Sequence, residues 1–162
     1  MGRINKVLLI ATIASTAMYM LAVFIGHQFS KEQPPTTGAS DYAIVTFDPQ
    51  TLVITAQVAN SIEARQAAMA FRKPLAGNAG VLSVFSAPYD AALSMINITV
   101  PIDMVFISEN SDIVKIVHAA PCLQEPCTSY SAGEPVKYVL ELRGNLSAEN
   151  GIETGGTVEI IR

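Results

Sequence analysis

PIDMVFI, residues 101–107, has no polar face. Laid out as a strand, Ile102, Met104 and Phe106 point one way, and Val105 and Ile107 share the other side with Pro101 and Asp103. A strand apolar on both faces belongs in the middle of a sheet that is covered on both sides. Its one carboxylate, Asp103, is then buried, and a buried carboxylate must be paired, hydrogen-bonded or protonated because burial disfavours its charge. The expected partners are Arg65 or Arg72 from an upstream helix, Asn97, or backbone amides. A structural ion pair is the plainer expectation, and a catalytic or ligand-binding acid the sharper one.

Outward from this strand the chain reads mainly as β. Residues 109–112, Glu-Asn-Ser-Asp, have the composition of a hairpin turn leading into DIVKIVH. Upstream, YAIVTF (42–47) is short and β-branched, and Asp48-Pro49 ends it as a turn. TLVITAQVA (51–59) alternates, with Leu52, Ile54, Ala56 and Val58 on one side and Thr51, Thr55 and Gln57 on the other. GVLSVF, ALSMINI, VKYVLEL and GTVEIIR supply further strands. One modest helix interrupts them. NSIEARQAAMAFR (60–72) carries a capping box from Asn60 to Glu63, with Ser61 as an alternative cap, and stops at Lys73-Pro74. Its expected buried stripe is Ile62, Ala68, Met69 and Phe71. LSAENG adds about one helical turn ended by Gly151. Seven or eight short strands with one short helix predict a mainly β domain, a compact β-sandwich or partly closed barrel.

The beginning of the chain is different. Residues 7–25 contain no charge, and nineteen helical residues span about 28 Å, close to the hydrocarbon thickness of a bilayer. The run exceeds the usual apolar region of a signal peptide and no small-x-small site follows, so a retained anchor over 7–26 is preferred to a cleaved signal. Arg3 and Lys6 precede it, which places residues 1–6 in the cytoplasm and the rest across the membrane. Residues 27–40, with Pro34-Pro35, form a linker, and the folded domain is expected over 41–162. From residue 31 onward eight Lys or Arg face fourteen Asp or Glu, a net charge of −6. With no basic run to neutralise a phosphate backbone, nucleic acid is not an expected partner. The expected location is the periplasmic face of a bacterial inner membrane, with the membrane itself, an envelope protein or a small ligand as partners. Asn97-Ile98-Thr99 and Asn145-Leu146-Ser147 match glycosylation sequons, which matter only in a eukaryotic secretory route.

Cys122 and Cys127 are the chain's two cysteines. In an exported chain they favour a disulfide staple. A metal clamp with His118 lacks a fourth ligand at zinc-finger spacing, although Met95 or Met104 would suit a soft ion. A redox pair lacks the C-x-x-C spacing and a nearby base in sequence. His118 reads as a strand-end surface residue, and Glu141 as solvent-facing or paired with Arg143. Met69, Met95 and Met104 read as core filler. Asn97 serves a bend before Pro101 or faces a cleft. Neither a metal site nor a cofactor is expected, and no P-loop, G-x-S-x-G, H-E-x-x-H or G-x-G-x-x-G occurs.

The order of these signals resembles the bacterial and archaeal family catalogued as domain of unknown function 192. Arg65 and Arg72 stand at the two arginine positions of its E-R-x-x-G-L-M-x-R helix, and Gly80-Val81-Leu82-Ser83-Val84-Phe85 matches its next strand. Met95, Asn97, Pro101, Asp103, Phe106 and Ile107 fit its long central motif. Cys122, Cys127 and Tyr130 fit its cysteine loop, and Tyr138-Val139-Leu140-Glu141 its last motif. The match runs from Thr51 to Ile160. Ala68-Met69-Ala70 departs from Gly-Leu-Met, Ser94 replaces a tryptophan, Ile98 a threonine and Thr128 a proline. The resemblance implies a compact, mostly β, often exported domain, and no chemistry. Together these readings make a membrane-tethered accessory or binding module the expectation, with candidate pocket or buried-network residues Arg65, Arg72, Met95, Asn97, Asp103 and Tyr130. The alternative is an envelope enzyme, or a thiol-redox or metal-binding protein, using Asp103 or the Cys122/Cys127 pair.

Overall fold

The computed structural model describes residues 42–49, 52–69 and 75–162. The expected anchor and linker lie outside the described residues, as do Phe71, Arg72 and the Lys73-Pro74 stop. Among the described residues no helix is long and apolar enough to cross a membrane.

Nine strands and two short helices are described: β1 (Tyr42–Phe47), β2 (Val53–Ala59), α1 (Ile62–Met69), β3 (Ala79–Tyr89), β4 (Ala92–Ser94), β5 (Ile102–Ile107), β6 (Ile113–Ala119), β7 (Ser129–Ser131), β8 (Val136–Arg143), α2 (Leu146–Glu149) and β9 (Val158–Ile161). Seven strands form one sheet in the order β6-β5-β8-β3-β2-β1-β9, and β4 pairs with β7 in a separate ribbon. The β2–β3 pair is parallel and the others are antiparallel. A parallel pair needs a crossover, which is the place α1 occupies.

The long sheet curls into a half-barrel rather than stacking as two layers of a sandwich. Its outer ends come back together. Ile113 at the start of β6 donates to Gly156 O at 2.8 Å, Gly155 donates to Ile113 O at 2.8 Å, and Val158 donates to Ser111 O at 3.0 Å. These bonds satisfy backbone groups at two sheet edges that would otherwise be open.

Every residue of β5 is buried, as the two-faced pattern of 101–107 requires. Val105 and Ile107 join an apolar cluster with Val45, Phe47, Ile54 and Leu140. Ile102, Met104 and Phe106 join a second, with Met95, Ile98 and Val139, against which Tyr130 of the β4–β7 ribbon packs. β8 sits between β3 and β5 and contributes to both clusters, and its residues 139–142 are buried on both faces. Glu141 is therefore fully buried, not solvent-facing, and Arg143 turns to Glu149 instead. In α1 the cap is Ser61, the alternative to Asn60: its Oγ accepts the Ala64 amide at 3.0 Å. Ile62, expected in a buried stripe, is 63% exposed.

Candidate functional site

The sequence-predicted residues fall into two separate places, on opposite sides of β5. Asp103 shares the face of Val105 and Ile107, whereas Met95 and Tyr130 belong with Ile102 and Met104 on the other.

At the first place Asp103 is completely buried. β8 ends beside it, and Gly144 follows, donating to Pro101 O at 2.9 Å. A Cβ on Gly144 would come within 2.7 Å of Pro101 Cβ, so only glycine lets the chain pass this close. The chain then turns through Asn145, in the left-handed region at φ 69, into α2. That turn aims amides at the carboxylate. Asn145 N donates to Oδ1 and Ser147 N to Oδ2, both at 2.9 Å, and the Ser147 hydroxyl also donates to Oδ2. His118 lies directly across β5–β6 from Asp103, and its Nδ1 donates to Oδ1 at 2.7 Å. Burial would push the Asp103 carboxyl up. The Ser147 hydroxyl, His118 and the two amides outweigh it and hold the group below the usual carboxylate range.

Asp103 thus accepts from backbone amides, one of the expected arrangements, and not from Arg65 or Asn97. The arrangement is a structural knot. Ser147 and His118 both bond the same carboxylate rather than forming a relay from hydroxyl to imidazole. His118 is at the surface, as read from sequence, with its side chain 58% exposed, yet it is tied to the buried acid.

The second place is a cleft of about 810 Å³ between α1, the far half of β3, and β4 with the loop after it. Arg65 stands at the α1 end and Asn97 lines the cleft from the turn after β4. Asn97 holds φ at 62 in a turn closed by Ile98 N to Met95 O at 3.0 Å, so it serves a bend and also faces the cleft. Between them the walls are mainly apolar: Ile62, Phe85, Tyr89, Leu93 and Ile96. Beyond Val84, β3 leaves its register with β8 and rejoins it only at Tyr89, so residues 85–88 bow away from the sheet. Arg65 is fixed rather than loose. Its Nη1 donates to Val84 O at 3.1 Å and its guanidinium lies over the Phe85 ring, 4.9 Å from the centroid.

Met95 is buried beneath this region, and Tyr130 of β7 pairs with Leu93 of β4. Cys122 and Cys127 are joined as a disulfide, with Cα atoms 5.7 Å apart. Cys122 N reaches Ile98 O at 3.2 Å, so the cysteine loop supports the turn that carries Asn97. Among the described residues no group of three or more His, Cys, Asp or Glu could hold a metal ion. Sequence reasoning missed His118 and Ser147 as partners of Asp103, and Phe85, Tyr89 and Ile96 as cleft walls. For His118 the obstacle was the hairpin. Val114 is skipped between the pairs Ile107↔Ile113 and Phe106↔Lys115, which brings His118 rather than Val117 opposite Asp103.

The model of the DUF192 family, described as uncharacterized ACR, matches residues 43–160. The chain belongs to this family. Two solved bacterial structures are similar to this chain. One is a candidate transcription regulator from Sinorhizobium meliloti 1021, 26% identical, with a TM-score of 0.66 over 76% of this chain and 98% of the other. The second is a protein of unknown function from Novosphingobium aromaticivorans DSM 12444, 27% identical, with a TM-score of 0.65 over 77% and 89%. No curated protein matches the chain.

Proposed function

We propose that this DUF192 domain is a binding module without catalytic chemistry of its own, held by its N-terminal anchor at the periplasmic face of the inner membrane. The observation that carries the binding role is the cleft. Its volume falls in the range of small-molecule sites, its larger wall residues are apolar, and polar groups including Arg65, Ser94 and Asn97 also line it. Exposed Ile62, Tyr89 and Ile96 in one depression form the kind of apolar surface that a protein keeps for a ligand or partner.

Asp103, the residue best placed by sequence to be a catalytic acid, spends its acceptor capacity holding α2 to β5. The Sinorhizobium relative is described as a candidate transcription regulator. We do not extend DNA binding to this chain, because its part beyond residue 30 carries −6 and no basic run. The tether and the compartment rest on the uncharged segment 7–25, on Arg3 and Lys6 before it, and on the oxidised cysteines.

Two measurements test the reading. A fragment library titrated onto the methyl-labelled full-length chain in nanodiscs is expected to shift the methyls of Ile62, Leu93 and Ile96 together. Hits confined to the surroundings of Asp103, or none at all, defeat the cleft as the site. Alkaline phosphatase fused to the C-terminus is expected to be active in cells. An inactive fusion, with a fluorescent protein at the same position bright, defeats the periplasmic placement.

A further inference from the structure

We infer that the cleft takes a small molecule with an apolar body and a single carboxylate end, with the carboxylate seated on Arg65. This rests on the cleft being the binding site, and adds the class of ligand.

The inference starts from the state of Arg65. It is half-buried and is the one charged residue among the described residues that line a cleft whose larger side chains are apolar. Among the described residues it forms no ion pair: those described join Asp103 to His118, Glu109 to Lys137 and Glu149 to Arg143. Glu63, two positions away on α1, is exposed and makes no ion pair with Arg65. Its carboxyl is held below the usual range chiefly by a backbone hydrogen bond and Ser61, with the Arg65 charge the smallest contribution. A guanidinium has five N–H donors in a planar fork. Nη1 is engaged with the Val84 carbonyl, and Phe85 covers one face of the plane. The remaining edge can take a carboxylate, and little side-chain freedom is left to lose on binding. Half-removed from water, an unpaired cation gains more from an anion than one at the open surface.

The other walls set the rest of the ligand. Phe85, Tyr89, Leu93 and Ile96 offer ring faces and branched carbons, suited to an alkyl chain or an aromatic body. A single arginine among the described cleft residues, in a domain whose overall charge is negative, matches one negative charge rather than a polyanion. The polar groups of Ser94 and Asn97, also in the lining, suit a hydroxyl or amide along the ligand.

The test uses octanoate and its neutral counterpart octanamide, titrated separately onto the full-length chain in nanodiscs while the Leu93 and Ile96 methyl signals are followed. Octanoate is expected to bind about tenfold or more tightly than octanamide, the ratio a charge-assisted hydrogen bond supplies. Arg65→Gln is expected to abolish that ratio, and Arg65→Lys to restore part of it, with all three proteins folded by the same spectra. Equal binding of the two compounds to the wild type overturns the carboxylate assignment and leaves the cleft standing as a site. No saturable shift with either compound overturns both, as does a shift that follows protein concentration alone, which would mean a second copy fills the cleft.

Discussion

The amide of Ser147 donates to Asp103 Oδ2 at 2.9 Å across 44 residues of chain. A helix N-terminus leaves amides without partners, and a nearby side-chain oxygen usually accepts one. In α2 the capping residue is Asn145, whose side chain makes no capping bond. The Asp103 carboxylate of β5 takes that role instead. One buried acid therefore fixes the end of β8, the turn at Asn145 and the start of α2 onto β5.

Asp103→Asn is expected to lower the unfolding free energy by about 2–4 kcal/mol at neutral pH, since an amide turns donors toward donors in a buried site. The pH dependence carries the sign of a depressed carboxylate. The stabilisation is fully present above the unfolded-state pKa, near 4, and is lost as pH falls through the lower folded value. Urea unfolding of the two proteins from pH 7 down to pH 2 should show a constant gap above about pH 5 that narrows in acid. A gap that grows toward low pH would refute the assignment.

Gly144→Ala forces a Cβ onto Pro101 and pushes the Asn145 turn away from Asp103. The expected loss is about 1–3 kcal/mol. Because the damage runs through the same hydrogen bonds, the double variant with Asp103→Asn should lose less than the sum of the single variants. Strict additivity in denaturant melts would show that the glycine acts independently of the knot.

Replacing both cysteines by serine removes a short loop closure, worth about 2 kcal/mol in the chain-entropy model. Since Cys122 N bonds Ile98 O, the loosening should be local. Hydrogen exchange is expected to rise at Ile98 and in β7, and to stay unchanged in β5 and β8. Uniform acceleration across the sheet would count against this.

Ser61→Ala removes the cap of α1, at a cost of about 1 kcal/mol. The helix carries Arg65 as well as the wall residue Ile62, so fraying should weaken octanoate binding more than octanamide binding. Equal weakening of both would mean that α1 shapes the cleft only as a wall.

How much of this was legible depended on how far apart the interacting residues are. The buried β5 was readable because alternation is local: six residues state that both faces are apolar. The strand 42–47 was readable to the residue for the same reason. α1 was readable as a helix but not in its exposure, because a helix of small residues shows no strong stripe and Ile62 was the one large aliphatic available to define it. The acceptors and donors around Asp103 come from three stretches of chain, and a single skipped residue at Val114 changed which of them stood opposite it. Glu141 misled because a carboxylate in a strand is usually at the surface, and only the position of β8 between two other strands buries it.

By itself the sequence determined the strand content, the burial of residues 102–107 on both faces and the burial of Asp103, because side-chain alternation and turn chemistry act over a few residues. It did not place β5, which is next to the edge strand β6 rather than in the middle of the sheet. It also carried the motifs by which the family is recognised. Only the tertiary structure decided the rest. The curl of one sheet chose the partly closed barrel over the two-layer sandwich, the hydrogen bonds to Asp103 came from α2 and β6, and Asn97 and Arg65 came to line one cleft while Asp103 lay across β5. Those outcomes are set by strand register and by the bow in β3, where one residue gained or lost redirects every side chain after it.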